Sequence, residues 1–364
     1  MNAADLLETL VRIPSPTGSE RDAVQALQAQ ARRDGFRVLQ DDVGNFVAEA
    51  GQGERLLLFV GHIDTVPGTV PVRRENGVLW GRGAVDAKGP LVAAYLAAQR
   101  HLDDPNLRIR IVGAVDEEGN SRGAQAVPAD LAPKWILIGE PSGVHGITIG
   151  YKGILRGVLR LERERHHGAH REPSAVEAAI AFWRDLEARY RFEDHFETIQ
   201  GRLDGLNTTT DGLVDGVEAR FNLRLPPGVD PATLEGELVE LAAQSSIEVS
   251  IDERMRGAEA SKRGPLVAAL LSAIRNRGGA PRLKRKTGTA DFNLFAARHP
   301  GVPIAAYGPG DAALDHTPHE HVRLEELDEA VDVLDEVFER LGSGGAGATD
   351  GSLVPPRLAR VPGA

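Results

Sequence analysis

Histidines and carboxylates recur in this sequence at places where a short apolar run has just ended. Leu56 to Val60 runs into Gly61-His62-Ile63-Asp64, Leu107 to Val115 into Asp116-Glu117-Glu118, and Trp135 to Ile138 into Gly139-Glu140-Pro141. Two further pieces complete the set: the glycine-rich loop Gly81 to Pro90, which carries Asp86, and the late segment Asp315-His316-Thr317-Pro318. Imidazole nitrogens and carboxylate oxygens are donors that hold zinc. The chain has no cysteine, which excludes thiolate ligands, disulfides and a cysteine nucleophile together.

The chemistry that fits these residue types is amide hydrolysis at a pair of zinc ions. Two ions about 3.5 to 4 Å apart can share and activate one water, polarise an amide carbonyl and stabilise the developing oxyanion. A carboxylate shared by both ions damps their repulsion, and Asp86 is assigned that place. His62 and Glu140 are expected on one ion, Glu118 and His316 on the other. Glu117, adjacent to a ligand, is the expected general base, taking a proton from water and passing it to the leaving amine. Asp64, two residues from His62, is expected to accept the second ring N–H and fix the tautomer. Among 53 acidic residues and 11 histidines, any one of these reads more simply as a surface charge or a capping group. Their joint placement after successive apolar runs singles them out.

Ligands of open α/β sheets gather beyond the carboxyl ends of the strands, so the runs themselves should be strands of such a sheet. Helical patterns at Ala4 to Val11, Arg21 to Asp34 and Gly89 to His101 alternate with them, which predicts an α/β layer with a mixed, largely parallel sheet. The character changes after about Gly150. Ile154 to Leu161, Ser174 to Tyr190, Val217 to Leu225, Thr233 to Ser245 and Ile247 to Asp252 read in the order β-α-β-α-β, a small α+β layer of its own. From Pro265 the first pattern resumes, with a helix to Arg277, a strand at Val302 to Tyr307 and a closing helix at Leu324 to Leu341. The expected organisation is a catalytic domain of residues 1–152 and 259–341 interrupted by an inserted domain of residues 153–258. Residues 342–364, rich in Gly, Ala and Pro, read as a disordered tail without assigned function.

Composition bounds the function. A length of 364 residues suggests about two domains, and 41% hydrophobic with 26% charged residues is the balance of a soluble globular protein. A net charge of −11 argues against nucleic acid or an anionic membrane as partner, since both require a positive field. No leader pattern and no apolar run of about 18 residues is visible, so a cytoplasmic location is expected. A small molecule or a protein is the expected partner.

The ordered set His62-Ile63-Asp64, Gly81-Arg82-Gly83 leading to Asp86 and Lys88-Gly89, Asp116-Glu117-Glu118, Gly139-Glu140-Pro141-Ser142 and His316 resembles the dinuclear zinc superfamily of aminoacylase, acetylornithine deacetylase and succinyl-diaminopimelate desuccinylase. The resemblance spans roughly residues 1–341. It implies a zinc-peptidase-like catalytic domain with an inserted lid or dimerisation domain, hence a homodimer, two zinc ions for which cobalt can substitute, and a cis peptide bond after Asp86. It assigns His62, Asp86, Glu118, Glu140 and His316 as ligands, Glu117 as base and Asp64 as the partner of the histidine.

Within that superfamily the wording is most similar to the hydrolase that releases lysine or ornithine from an acidic amino-group carrier protein. This rests on Gly83 to Leu91, Gly139 to Gly143 and Lys286-Thr287-Gly288-Thr289-Ala290-Asp291. The implied reaction is hydrolysis of the amide joining the α-amino group of lysine to the γ-carboxyl of the carrier's terminal glutamate, in lysine or arginine biosynthesis. Arg224 falls where the family places an arginine for the substrate carboxylate, with a structural ion pair as the alternative. Thr289 belongs to the implied substrate loop. A lid histidine is expected in the segment His166 to Ser174, where His167 is preferred to His170. The basic run Arg282, Lys284, Arg285, Lys286 reads either as a docking surface for the acidic carrier or as a solvated turn.

Three rivals can be weighed on the sequence. The same site would serve acetylornithine, succinyl-diaminopimelate or a dipeptide. An inactive binding relative is disfavoured by the full ligand set and Glu117, and Gly139-Glu140-Pro141-Ser142-Gly143 has the wrong spacing for a serine nucleophile elbow.

Overall fold

The computed structural model of the protein describes residues 1–167 and 172–344, and it divides into two compact units. Of the described residues, the larger comprises Met1–Ile149, Ala260–Lys284 and residues 290–344. Its sheet runs, from one edge inward, Arg37–Val38, Phe46–Ala50, Leu107–Ala114, Arg55–His62, Trp135–Gly139, Ile304–Ala306 and the first residues of Gly146–Tyr151. The central strands are parallel: Arg55–His62 pairs with Leu107–Ala114 on one side and Trp135–Gly139 on the other, and Ile304–Ala306 continues the set. Phe46–Ala50 and the Arg37–Val38 edge are antiparallel. Continuous apolar runs such as Leu56–Val60 follow from this position, because the strands are buried on both faces.

The helix Lys88–Gln99 is buried along almost its whole length and packs against the sheet and against the helix Leu324–Gly342. Its four alanines let the neighbours approach closely while retaining high helix propensity. A small antiparallel sheet joins Arg73–Glu75, Val78–Trp80 and His321–Arg323, with Asn76 and Gly77 at positive φ in the hairpin turn.

The smaller unit comprises Gly150–Glu259 with Arg285–Thr289. Its antiparallel sheet has the order Gln200–Thr210, Val214–Leu225, Gly153–Glu164, Glu248–Met255. The helices Ala175–Tyr190 and Pro231–Gln244 cover one face and enclose its own core, including Leu159, Phe182, Phe221 and Leu238. Ser174 and Glu177 close a capping box at the start of the first helix.

The element order here is β-α-β-β-α-β, one strand more than expected. Gln200–Thr210 was not foreseen because it is an outer strand, largely exposed, with two glycines and only two leucines in eleven residues. The expected tail falls mainly in residues 345–364, outside the described residues. Among the described residues, no helix is long and apolar enough to cross a membrane.

Candidate metal centre

The parallel register decides which side chains meet. His62, the last residue of its strand, stands opposite Ala114, and Gly61 opposite Gly139. The chain therefore leaves the sheet at one edge three times, releasing His62, the Asp116–Glu118 turn and Glu140 together. Asp116 has φ of 64°, so the backbone of that turn is in the left-handed region that non-glycine residues rarely enter. His316 has φ of 62°. Departures of this kind concentrate at functional sites.

Asp86 sits between the two histidines. Its Oδ1 is 3.2 Å from His62 Nε2, and its Oδ2 is 3.0 Å from His316 Nε2. His316 Nε2 is also 2.9 Å from Glu118 Oε1. Among the described residues, three groups could hold a metal ion, with ligand atoms within 4.8 Å of one another: His62, Asp86 and Glu140; Asp86, Glu118 and His316; and His62, Glu117 and Glu118. Asp86 is the member common to the first two. The Asp86–Ala87 peptide bond is cis.

Asp64 is completely buried. The nearest acceptor for His62 Nδ1 is the Asp64 backbone carbonyl at 3.0 Å, with the carboxylate at 3.4 Å. That carboxylate does more than face the ring: it accepts from the Thr17 hydroxyl and from the backbone N–H groups of Glu117 and Glu118, at 2.8, 3.1 and 3.1 Å. It thus ties the Glu117–Glu118 turn to the His62 strand.

The charges are strongly coupled. Burial opposes protonation of His62, yet hydrogen bonds to Asp64 and Asp86 and the charge of Glu117 outweigh it and hold the imidazole well above its ordinary pKa. Hydrogen bonds to Asp86 and Glu118 push His316 up to about 10. Burial raises Asp86, but both histidines more than reverse this and hold it below the usual carboxylate range. For Glu117, desolvation raises the pKa well above normal, His62 opposes, and the nearby carboxylates Asp291, Glu140 and Glu118 add to the rise.

Two residues of this region were not read as functional from the sequence. Asp291, quoted only within the Lys286–Asp291 pattern, is buried at the start of the helix Asp291–Arg298, and its Oδ1 has no hydrogen-bond partner. Burial, with Glu140 and Asp64 adding, pushes it up to about 7. Glu320 is wholly buried against the Asp86 loop. Only its spacing, four residues after His316, could have drawn notice. Ser142 is engaged structurally: its buried hydroxyl donates to the Gly146 carbonyl at 2.9 Å and accepts from the Gly308 N–H at 3.2 Å.

The substrate candidates lie in the smaller unit. Arg224, half-buried on Val214–Leu225, donates to Thr289 Oγ1 at 2.9 Å, and Thr289 donates to the Lys152 carbonyl at 3.0 Å. Among the described residues Arg224 makes no ion pair within 4.0 Å, and Glu253 and Asp204 are the carboxylates whose charge reaches it. Burial, then the charge of Arg156, lowers its pKa. His167 is exposed in the segment following Gly153–Glu164, and His170 lies outside the described residues. Of the basic run, Lys284 donates to the Ser142 carbonyl at 2.6 Å, while Arg285 pairs with Glu197 and lies over the Phe196 ring.

A parallel-centred sheet of this kind has known counterparts. The chain belongs to peptidase family M20/M25/M40, whose model matches residues 58–340. Solved structures with the same fold include aminopeptidase PepT from Bacillus cereus, at 20% identity and a TM-score of 0.76 over 94% of this chain and 99% of that one. Another is the M20 metallo-carboxypeptidase Sso-CP2 from Sulfolobus solfataricus, at 18% identity and 0.75 over 94% and 100%.

More specific likenesses come from sequence. The chain is 42% identical, over 93% of its length and 91% of the relative, to a protein of Thermococcus kodakarensis named putative LysW-lysine/LysW-ornithine hydrolase. It is 40% identical, over 94% and 98%, to the LysW-lysine hydrolase of Deinococcus radiodurans.

Proposed function

We propose that this chain is a metal-dependent amide hydrolase that frees lysine, or ornithine, from the terminal glutamate of an acidic amino-group carrier protein. The observation that carries the chemistry is Asp86, which presents one oxygen to each of two imidazoles. The carrier assignment is supported by the names of relatives 40–42% identical over most of the chain.

The donor set fits two divalent ions. Clustered carboxylates that repel one another, two imidazoles and no thiolate make an oxygen and nitrogen site suited to zinc, with cobalt as a substitute. His62, Asp86 and Glu140 would hold one ion, and Asp86, Glu118 and His316 the other. When bound, such a pair supplies positive charge that polarises an amide carbonyl and offsets the oxyanion.

The remaining work belongs to side chains. Glu117 takes a proton on its carboxylate from the water that adds to the carbonyl carbon, and then delivers it to the leaving α-amino nitrogen as the C–N bond breaks. Asp64 orients His62 and fixes the turn that carries Glu117. Arg224, unpaired and supported by Thr289, receives the free α-carboxylate of lysine. His167 is assigned to the oxyanion side of the substrate.

Residues 1–152 and 259–341 are the catalytic domain in this reading, and 153–258 a lid through which two copies of a cytoplasmic enzyme pair. The exposed outer strand Gln200–Thr210 supports such pairing.

The test is release of free lysine from lysine-loaded carrier, run beside acetylornithine and succinyl-diaminopimelate, each with and without chelator. Chelator-sensitive release from the carrier alone is the expected result. Preference for a free small amide would overturn the carrier assignment and keep the chemistry.

A further inference from the structure

Glu320 belongs to none of the candidate metal groups, yet four donors converge on its carboxylate beside them. Its side chain is completely buried. Oε1 accepts from three backbone N–H groups of one turn, those of Gly83, Val85 and Asp86, at 2.9, 3.0 and 3.1 Å. Oε2 accepts from Arg82 Nη1 at 2.7 Å. The pairing of His321–Arg323 with Val78–Trp80 brings it there, and the Gly81 N–H donates to the Glu320 carbonyl at 3.2 Å. Gly83, at φ of 87°, turns the loop so that three of its amides converge on one oxygen, while the Ala84 N–H donates to the Gly81 carbonyl.

The same residue lies four positions after His316. It therefore joins two stretches of chain, one carrying Asp86 and the other His316, whose side chains approach to 3.0 Å. From this geometry we infer that Glu320 is the positioning residue that sets the spacing of Asp86 and His316 and so the affinity of the site for its second metal ion. The inference rests on the metal reading of the Asp86 cluster. Glu320 touches no reacting atom; it acts by fixing the direction of the Asp86 backbone, and through it both carboxylate oxygens. A polar group that orients a ligand in this way commonly changes metal affinity 10- to 100-fold when removed, which is of the order of about 10-fold or more here.

Three variants of the full chain separate this from a purely structural role. Glu320→Ala removes both acceptor oxygens. Glu320→Gln keeps one oxygen for the three N–H groups but sets an amide NH₂ against Arg82, and Arg82→Met added to it removes that conflict. Cobalt is titrated into each chelator-stripped protein against a chromophoric chelator, and thermal unfolding of the metal-free forms is recorded alongside. A core variant at a residue that makes no hydrogen bond to the site, Leu334→Ala, serves as the control for lost stability.

The expected result is weaker binding of the second cobalt by about 10-fold or more in Glu320→Ala, an intermediate loss in Glu320→Gln, and recovery in Glu320→Gln/Arg82→Met. Leu334→Ala should leave cobalt affinity unchanged. Wild-type affinity in Glu320→Ala overturns the inference, as does an equal loss in the core control. Should Glu320→Ala not fold, failure of Arg82→Met to restore binding in the Gln background overturns it instead. A wild-type chain that binds no cobalt would overturn the metal reading itself, a separate result.

Discussion

The two units treat charge in opposite ways. In the larger, Asp64, Asp86, Glu140 and Glu320 are buried, and Asp64 and Glu320 each accept several hydrogen bonds from backbone or side chain. In the smaller, opposite charges meet mainly across solvent-facing positions, as in Arg160 with Glu218 or Arg254 with Glu235. A buried carboxylate that loses its donors leaves groups without water or partner, whereas an exposed pair gives up contacts that water replaces. Substitution should therefore be costly in the first unit and mostly tolerated in the second, with Arg224 and the buried Lys152 as exceptions.

The largest effect is expected at Glu117. Glu117→Gln keeps shape but cannot accept the proton, and kcat for lysine release should fall by roughly 10²- to 10⁴-fold with metal content unchanged. Retention of near wild-type kcat would remove Glu117 from the proton path. Arg224→Met comes next. Loss of a charged hydrogen bond to a carboxylate is worth roughly 1.5 to 3 kcal/mol, so kcat/KM should drop about 10- to 100-fold, mostly through KM. Unchanged kinetics would make Arg224 one more surface charge of its unit.

Metal binding should depend on pH with a definite sign. In the metal-free protein His316, pushed up to about 10, carries a proton at pH 7, and the hydrogen bonds of His62 to Asp64 and Asp86 favour its protonated form as well. A ligand imidazole must be neutral, so binding expels a proton and strengthens by up to about 10-fold per pH unit for each proton released. For His316 this continues until pH passes about 10. Calorimetry in buffers of different ionisation enthalpy reads the proton count, and a buffer-independent heat would contradict it. The smallest effect belongs to the smaller unit. Replacing Arg160 or Glu218 should cost under about 1 kcal/mol of stability, and chemical denaturation showing several times that would erase the contrast between units.

The same contrast governs what could be read from residues alone. The strands ending at His62 and Gly139 are buried on both faces, so their sequences are unbroken apolar runs, and each run points to the residue that follows it. Gln200–Thr210 gave no such signal, because an exposed outer strand has no core to demand apolar residues. Glu320 was hidden for another reason. Its place depends on the pairing of two three-residue strands, too short for any periodicity, and on which of many carboxylates finds three converging amides. Asp64 was legible as a partner of His62, but its grip on the Glu117–Glu118 turn was not, since that contact exists only once the parallel register aligns the strand ends. The substrate residues of the smaller unit rested on resemblance, which left His167 and His170 to be separated by spacing alone.

One titration tests the central claim most directly. Chelator-stripped protein is given cobalt in steps while lysine release from loaded carrier is followed at each. Two equivalents per chain, with activity returning as the second binds, is the result predicted by Asp86 standing between His62 and His316. Full activity before any metal is added, or saturation without a second equivalent, would contradict it.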